Sequence, residues 1–186
     1  MELIDVLTSD GLPTGIVKPK HEIHRDGDWH RAAHLWIVTP DDRVLLQRRA
    51  FSKESWPGLW DVSVAGHIGA GESAIDAIVR EAHEELGLIL TLGELTHLGT
   101  LRFTAVLVEG RALSPSAAGP ETLPKPPYLE NELHEVYLLR RDLDLAQLVL
   151  DPAEVAEAAL VASEELDAYD LVPHPESYAL LRSVLR

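Results

Sequence analysis

The sequence predicts one mixed α/β domain over residues 1–186, and three observations carry that prediction. Short alternating or branched apolar runs, separated by turn residues, fill the first hundred positions. A glycine-rich stretch then leads into one clear amphipathic helical pattern. No internal repeat, heptad pattern or linker divides the chain.

The elements follow in order. Leu3–Val6 and Thr14–Val17 flank Asp10-Gly11, which reads as a hairpin, and His34–Val38 with Val44–Arg48 flank the turn Pro40-Asp41-Asp42. Trp60–Val64 is a short apolar strand running into the glycine-rich residues Ala65–Gly71. Ser73–Leu86 is the helix: Ile75, Ile78, Val79, Ala82 and Leu86 recur at helical spacing, and Gly87 stands where a C-cap glycine belongs. Leu98–Val108 reads as strand. Residues 111–127 hold five prolines and read as an irregular loop, of lid or binding type, with plain disorder as the rival reading. Leu133–Leu139 is strand, Val155–Ala162 fits helix or strand, and Glu176–Leu185 is a terminal helix opened by Pro175.

Composition narrows the function. No apolar run approaches the roughly 18 to 20 residues of a membrane span, and Met1–Thr8 lacks the basic and apolar regions of a secretory signal. Zero cysteines exclude disulfides, thiolate metal sites and a cysteine nucleophile, and they fit a reducing cytoplasm. Sixteen basic against 31 acidic residues leave a net charge of −15. A field of that sign repels polyanions and excludes general nucleic-acid binding, whereas a small phosphate compound can bind if cations screen it. Nine histidines make metal sites worth seeking.

The informative run is Gly66-His-Ile-Gly-Ala-Gly-Glu72, seven further residues, then Arg80-Glu81-Ala82-His83-Glu84-Glu85-Leu86-Gly87-Leu88. Glu81, Glu84 and Glu85 stand at i, i+3 and i+4, so a helix presents all three carboxylates on one face. Three like charges there destabilise the helix unless a cation joins them, and hard oxygen ligands suit Mg²⁺ or Mn²⁺. Arg80 and Glu72 are placed to pair across the loop. Gly66, Gly69 and Gly71 permit close backbone approach near a helix N-terminus that favours anions. A merely solvated acidic face explains the three glutamates alone about half the time. It does not explain seven fixed positions, which at roughly 6% usage each arise by chance on the order of once in a million such chains.

On these residues the sequence resembles the Nudix hydrolase family, whose box reads G-x5-E-x7-R-E-U-x-E-E-x-G-U with U apolar; Ala82 and Leu88 take the two U positions. The resemblance implies a Nudix-type α/β/α sandwich around a mixed β-sheet, here with an N-terminal β-hairpin extension and a C-terminal helix. It also implies hydrolysis of a phosphoanhydride in a nucleoside diphosphate derivative or other X-linked diphosphate. Carried over, Glu81, Glu84 and Glu85 are metal ligands and catalytic residues. Arg80 and Glu72 are positioning residues, and Gly66 shapes the loop. The implied cofactor is Mg²⁺ or Mn²⁺, and the implied partner is a small-molecule diphosphate, neither nucleic acid nor membrane.

Further stretches resemble isopentenyl diphosphate isomerase, which shares the Nudix fold, and its hydrolase relatives. They are His30 with the strand holding Trp36, Leu45–Ala50, Lys53, Trp56–Trp60, Ser63–His67 and Glu130-Asn131-Glu132. This resemblance implies a second, transition-metal site of His30, His67, Glu130 and Glu132, with His24 or His21 as the fifth ligand. It also implies that Arg49 and Lys53 contact the substrate diphosphate. His97, His134 and His174 receive no role, and the tryptophans read as core or loop anchors. Two departures speak against isomerase. The position of that enzyme's catalytic cysteine is Ala65, which has no acid–base group, and the full R-E-x-x-E-E of the hydrolase box is kept here. The expectation is therefore a cytoplasmic Nudix hydrolase. Isomerase and a non-catalytic, nucleotide-sensing Nudix module are its rivals. Specificity is expected in the loop 111–127 and the N-terminal hairpin.

Overall fold

A computed structural model of the chain describes residues 2–112 and 127–185. The N-terminal hairpin is β1 (Leu3–Leu7) paired antiparallel with β2 (Pro13–Pro19). A short helix, α1 (Lys20–Asp26), follows; no helix is predicted there from the sequence. It ends at Gly27, whose φ of 70° is the left-handed conformation glycine adopts without strain. Ile23 of α1 packs with Ile4 and Val6 of β1, fixing the hairpin to the helix.

The main sheet holds β3 (His30–Val38), β4 (Arg43–Arg49), β7 (Thr96–Val108), β8 (Arg111–Ala112), β9 (Tyr128–Arg140) and β10 (Val155–Ala162) in the order β10-β4-β3-β9-β7-β8. Two short strands lie off that path, β5 (Trp60–Asp61) against β4 and β6 (Val64–His67) against β3. The β3–β9 pair is parallel and its neighbours antiparallel, so the sheet is mixed. The hairpin of β3 and β4 pairs at Val38↔Val44 and then parts, and β5 and β6 fill the gap. Ser63 sits in that wedge: its hydroxyl donates to Leu45 O (2.6 Å) and accepts from Ile37 N (2.8 Å). The wedge brings Ala65, Gly66 and His67 beside Ala32–His34.

β3 is buried along nearly its whole length because helices cover both faces of the sheet. Ala33, Leu35 and Ile37 face one core with Ala77, Ile78, Ala82 and Leu86 of α2 (Ala74–Leu86). Trp36 and Val38 face the other, with Tyr178 and Leu181 of α3 (Pro175–Val184). This is an α/β/α sandwich, as expected, with the N-terminal hairpin and C-terminal helix in place.

Helix α2 forms where the pattern predicts it. The Ser73 hydroxyl caps the Asp76 N–H, and Gly87 (φ 67°) closes the helix with its N–H on His83 O while Leu88 N–H bonds Ala82 O. Val155–Ala162 resolves as strand: it pairs with β4 from Val155↔Arg49 to Ala162↔Arg43, and tertiary pairing overrides its alanine content. Of the predicted loop 111–127, Arg111 and Ala112 form β8, and residues 113–126 lie outside the described residues.

Candidate functional site

A cleft of about 610 Å³ opens at one end of the sheet. One wall is the polar face of α2, with Arg80, Glu81, Glu84 and Glu85; the end of β4 brings Arg49, and the segment after it Lys53 and Trp56. His67, Glu130 and Glu132 line it from β6 and β9, and Asp151 and Glu154 from the segment before β10. The cleft therefore collects the box residues with His67, Glu130 and Glu132, while His24 and His30 are not part of its lining.

On α2, Arg80 holds the loop to the helix. Its guanidinium donates to both oxygens of Glu72 (3.0 Å each) and to His67 O (3.1 Å), and Glu72 accepts from Gly69 N–H (2.8 Å). The same guanidinium reaches Glu81 (2.6 Å) and Glu84 (3.2 Å). The like-charge cost of these glutamates is thus partly offset by arginine. Glu85 turns inward: it is 4% exposed and accepts from the side-chain amide of Gln47 (3.1 Å). Burial, with the Glu81 charge beside it, pushes the Glu85 carboxyl up to about 8. Burial also raises Glu81, against the pull of Arg80. The glutamates are therefore divided between an arginine and a buried amide, and none is bonded to another. Gly66 is required by this arrangement, since a Cβ there would stand 2.1 Å from the Glu81 carboxylate.

The second group is tighter. His24, His30, His67 and Glu132 each offer a ligand atom, and those atoms lie within 4.8 Å of one another. His24 Nδ1 donates to Leu129 O (2.9 Å) and His30 Nδ1 to Asp28 O (3.0 Å), which leaves the lone pairs on their Nε2 atoms. His24 Nε2 stands 3.1 Å from His67 Nε2. His30 Nε2 is buried without a hydrogen-bond partner, and Glu132 lies 3.3 Å from it and 3.6 Å from His67. Burial lowers His24 to about 3 and His67 to about 4, so both are neutral at pH 7, as ligation demands. Burial alone would raise Glu132, but the hydrogen bond from His134 and the imidazoles of His30 and His67 beside it hold it well below the usual carboxylate range. Burial alone would lower His30, but Glu132 outweighs it and raises this imidazole, whose orphaned Nε2, beside the two neutral imidazoles and one carboxylate, fits a transition-metal ion better than Mg²⁺.

Of the two histidines considered for the fifth position, His24 is buried by α1 within the cluster, while the His21 side chain is 67% exposed. Glu130 stands apart from the expected set of ligands. Its carboxylate accepts from the Trp56 indole N–H (3.0 Å), and burial together with the Glu132 charge raises it. Arg49 is held by Asp61 (3.1 Å) and Ser55 (3.0 Å), and Lys53 pairs with Glu154. Ala65 lies in the cleft wall with only a methyl group to offer.

Other cleft residues escape the sequence reading. His34 and His174 line the cleft and pack with His134, at ring-centroid distances of 4.0 to 5.1 Å. His134 donates to Glu132 (2.7 Å). A signal was available in the period of two: Glu130, Glu132 and His134 share one strand face, and His30 and His34 share another.

The NUDIX domain profile matches residues 28–181. The chain belongs to the Nudix family. It is 37% identical over 94% of its length to Nudix hydrolase 3 of Arabidopsis thaliana, of which it spans only 20%. It is 35% identical over 92% of its length to an isopentenyl-diphosphate Delta-isomerase of Kocuria rhizophila, covering 87% of that protein. A solved structure from Deinococcus radiodurans superposes with a TM-score of 0.64 at 21% identity, over the whole of both chains, which shows the shared fold. Among the described residues of this Nudix chain, no helix is long and apolar enough to cross a membrane.

Proposed function

We propose that the chain is a divalent-metal-dependent Nudix hydrolase that cleaves the phosphoanhydride of a small X-linked diphosphate. The observation that carries this reading is the single cleft with the box carboxylates on one wall and the cations Arg49 and Lys53 in another. Glu81, Glu84 and Glu85 are the residues to hold Mg²⁺ or Mn²⁺, and His24, His30, His67 and Glu132 are those to hold a transition metal. A divalent ion in such a site supplies positive charge for the phosphoryl oxygens and lowers the pKa of an attacking water. The chain's own residues do the rest. Arg49 and Lys53 bind the diphosphate oxygens as fixed cations, Lys53 exchanging its Glu154 partner for the substrate. Arg80 keeps its fork on Glu72 and so holds the glycine loop, with Gly66 at its start, against the glutamates. Glu85, raised to about 8 by burial, would have to be ionised to serve as a ligand, so metal binding there would compete with its proton.

The test is release of cleavage products by purified protein with Mg²⁺ or Mn²⁺: inorganic phosphate from nucleoside diphosphates and isoprenoid diphosphates, and nucleoside monophosphate with sugar phosphate from nucleotide sugars. Turnover is expected with at least one class, and Glu84→Gln and Glu85→Gln should remove most of it. No release across the panel would overturn the reading.

The converging His/Glu cluster and the isomerase name of the Kocuria relative favour one second reading, isomerisation of an alkenyl diphosphate. Ala65 speaks against it, since that position contributes no proton donor or acceptor. Interconversion of isopentenyl and dimethylallyl diphosphate followed by NMR decides it, and no turnover is expected.

A further inference from the structure

Of the box glutamates on α2, Glu85 is held from behind the cleft wall. Its Oε2 accepts from the Gln47 side-chain amide (3.1 Å) and from the Ala65 N–H (3.4 Å), whereas Glu81 and Glu84 take their bonds from Arg80. Its Oε1 accepts from no residue among those described. Glu85 lines the cleft, so Oε1 is the oxygen left for a ligand.

Packing alone does not account for Gln47. Two residues earlier on the same face of β4, Leu45 is fully buried in the core against α2, and two residues later Arg49 reaches the cleft. Gln47 between them is 2% exposed and forms no part of the cleft lining. Its Nε2 donates to Glu85, while its Oε1 is buried without a hydrogen-bond partner. An unpaired buried carbonyl is costly, and an apolar side chain of similar volume would avoid that cost. What an apolar side chain could not do is hold the Glu85 carboxylate. Two donors on Oε2 fix the rotation of that carboxylate and divide its oxygens, one to the protein and one to the cleft. A small hard ion with strict octahedral demands needs an oxygen fixed in this way, and ligating carboxylates are commonly held by such outer partners. Without the amide, only the longer bond from Ala65 would restrain the group.

We infer that Gln47 is a positioning residue acting through Glu85: its amide holds Oε2, so that Oε1 alone is offered to the divalent ion of the cleft. The inference rests on the hydrolase reading for the role of Glu85 as a ligand.

The test separates the two. Mn²⁺ is titrated into the protein and followed by electron paramagnetic resonance. One equivalent of Zn²⁺ is added first to fill the cluster of His24, His30, His67 and Glu132, so that the signal reports the helix carboxylates. The wild type should bind Mn²⁺. Gln47→Met, similar in volume but without the amide, should bind it roughly tenfold or more weakly. Gln47→His, which keeps an N–H donor, should retain most of the affinity, whereas a merely structural role for the amide would cost both variants alike. Circular dichroism identifies a variant that fails to fold; Gln47→Leu then stands in for the methionine variant and Gln47→Asn for the histidine one. Equal affinity in wild type and Gln47→Met, or equal losses in the methionine and histidine variants, overturns the inference and leaves the hydrolase reading standing. A wild type that binds no Mn²⁺ beyond the zinc overturns both.

Discussion

At the scale of single residues, Gly66 joins sequence to chemistry most directly. Glycines are usually kept for a positive φ, but here the requirement is contact, because the Glu81 carboxylate occupies the space of a Cβ. A methyl group at 2.1 Å cannot be absorbed, so Glu81 must swing away from the cleft. Gly66→Ala should therefore fold, yet lose about a hundredfold in kcat/KM, the usual cost of misplacing a reacting group by an ångström. Its Mg²⁺ requirement should also move to higher concentration. Steady-state kinetics across a Mg²⁺ series, with circular dichroism as the control for folding, checks this. Wild-type kinetics in the variant would mean that Glu81 has no part in the reaction.

At the scale of elements, legibility followed how local the cause was. Helix α2 is written in its own residues, with a serine cap, an apolar stripe and a closing glycine, and it forms within one residue of the expected start. Gly87→Ala tests that logic. Its φ of 67° penalises a Cβ, and the added methyl would meet Val149 at 2.8 Å. A loss of about 1–2 kcal/mol is expected from the left-handed backbone alone, read as a lower urea midpoint with the slope unchanged. An unaltered midpoint would show that the cap carries no stability. β10 was ambiguous for the opposite reason, since only the neighbouring β4 decides that an alanine-rich segment pairs as strand. Helix α1 was invisible: seven residues with no side-chain cap give a weak local signal, and its placement comes from packing Ile23 under the hairpin. The site divides in the same way. The box residues share one helix and could be read together. His34, His134 and His174 come from three separate elements, and no spacing announces that they meet.

At the scale of the whole molecule, those buried histidines set how folding responds to acid. His174 is faced by His134 from β9, His34 from β3 and Asp61 from β5, with Arg49 and Glu132 acting at longer range. Burial lowers its pKa from 6.5 to about 3, and the His134 charge adds to this. The unfolded chain therefore binds a proton at this residue from about pH 6.5 downward, while the folded chain refuses it until far lower pH. Between those values the unfolded state holds more protons, so stability rises with pH there and is lost on acidification. At pH 5 the share of His174 is on the order of 2 kcal/mol, from one and a half pH units below the unfolded pKa at about 1.4 kcal/mol each. His174→Gln does not titrate, so its loss of stability between pH 7 and pH 5 should be smaller than the wild type's by roughly that amount. Urea unfolding of both proteins at the two pH values measures the difference. Parallel losses in wild type and variant would show that His174 takes up its proton in the folded protein, and that the floor of the cleft is wetter than its burial implies.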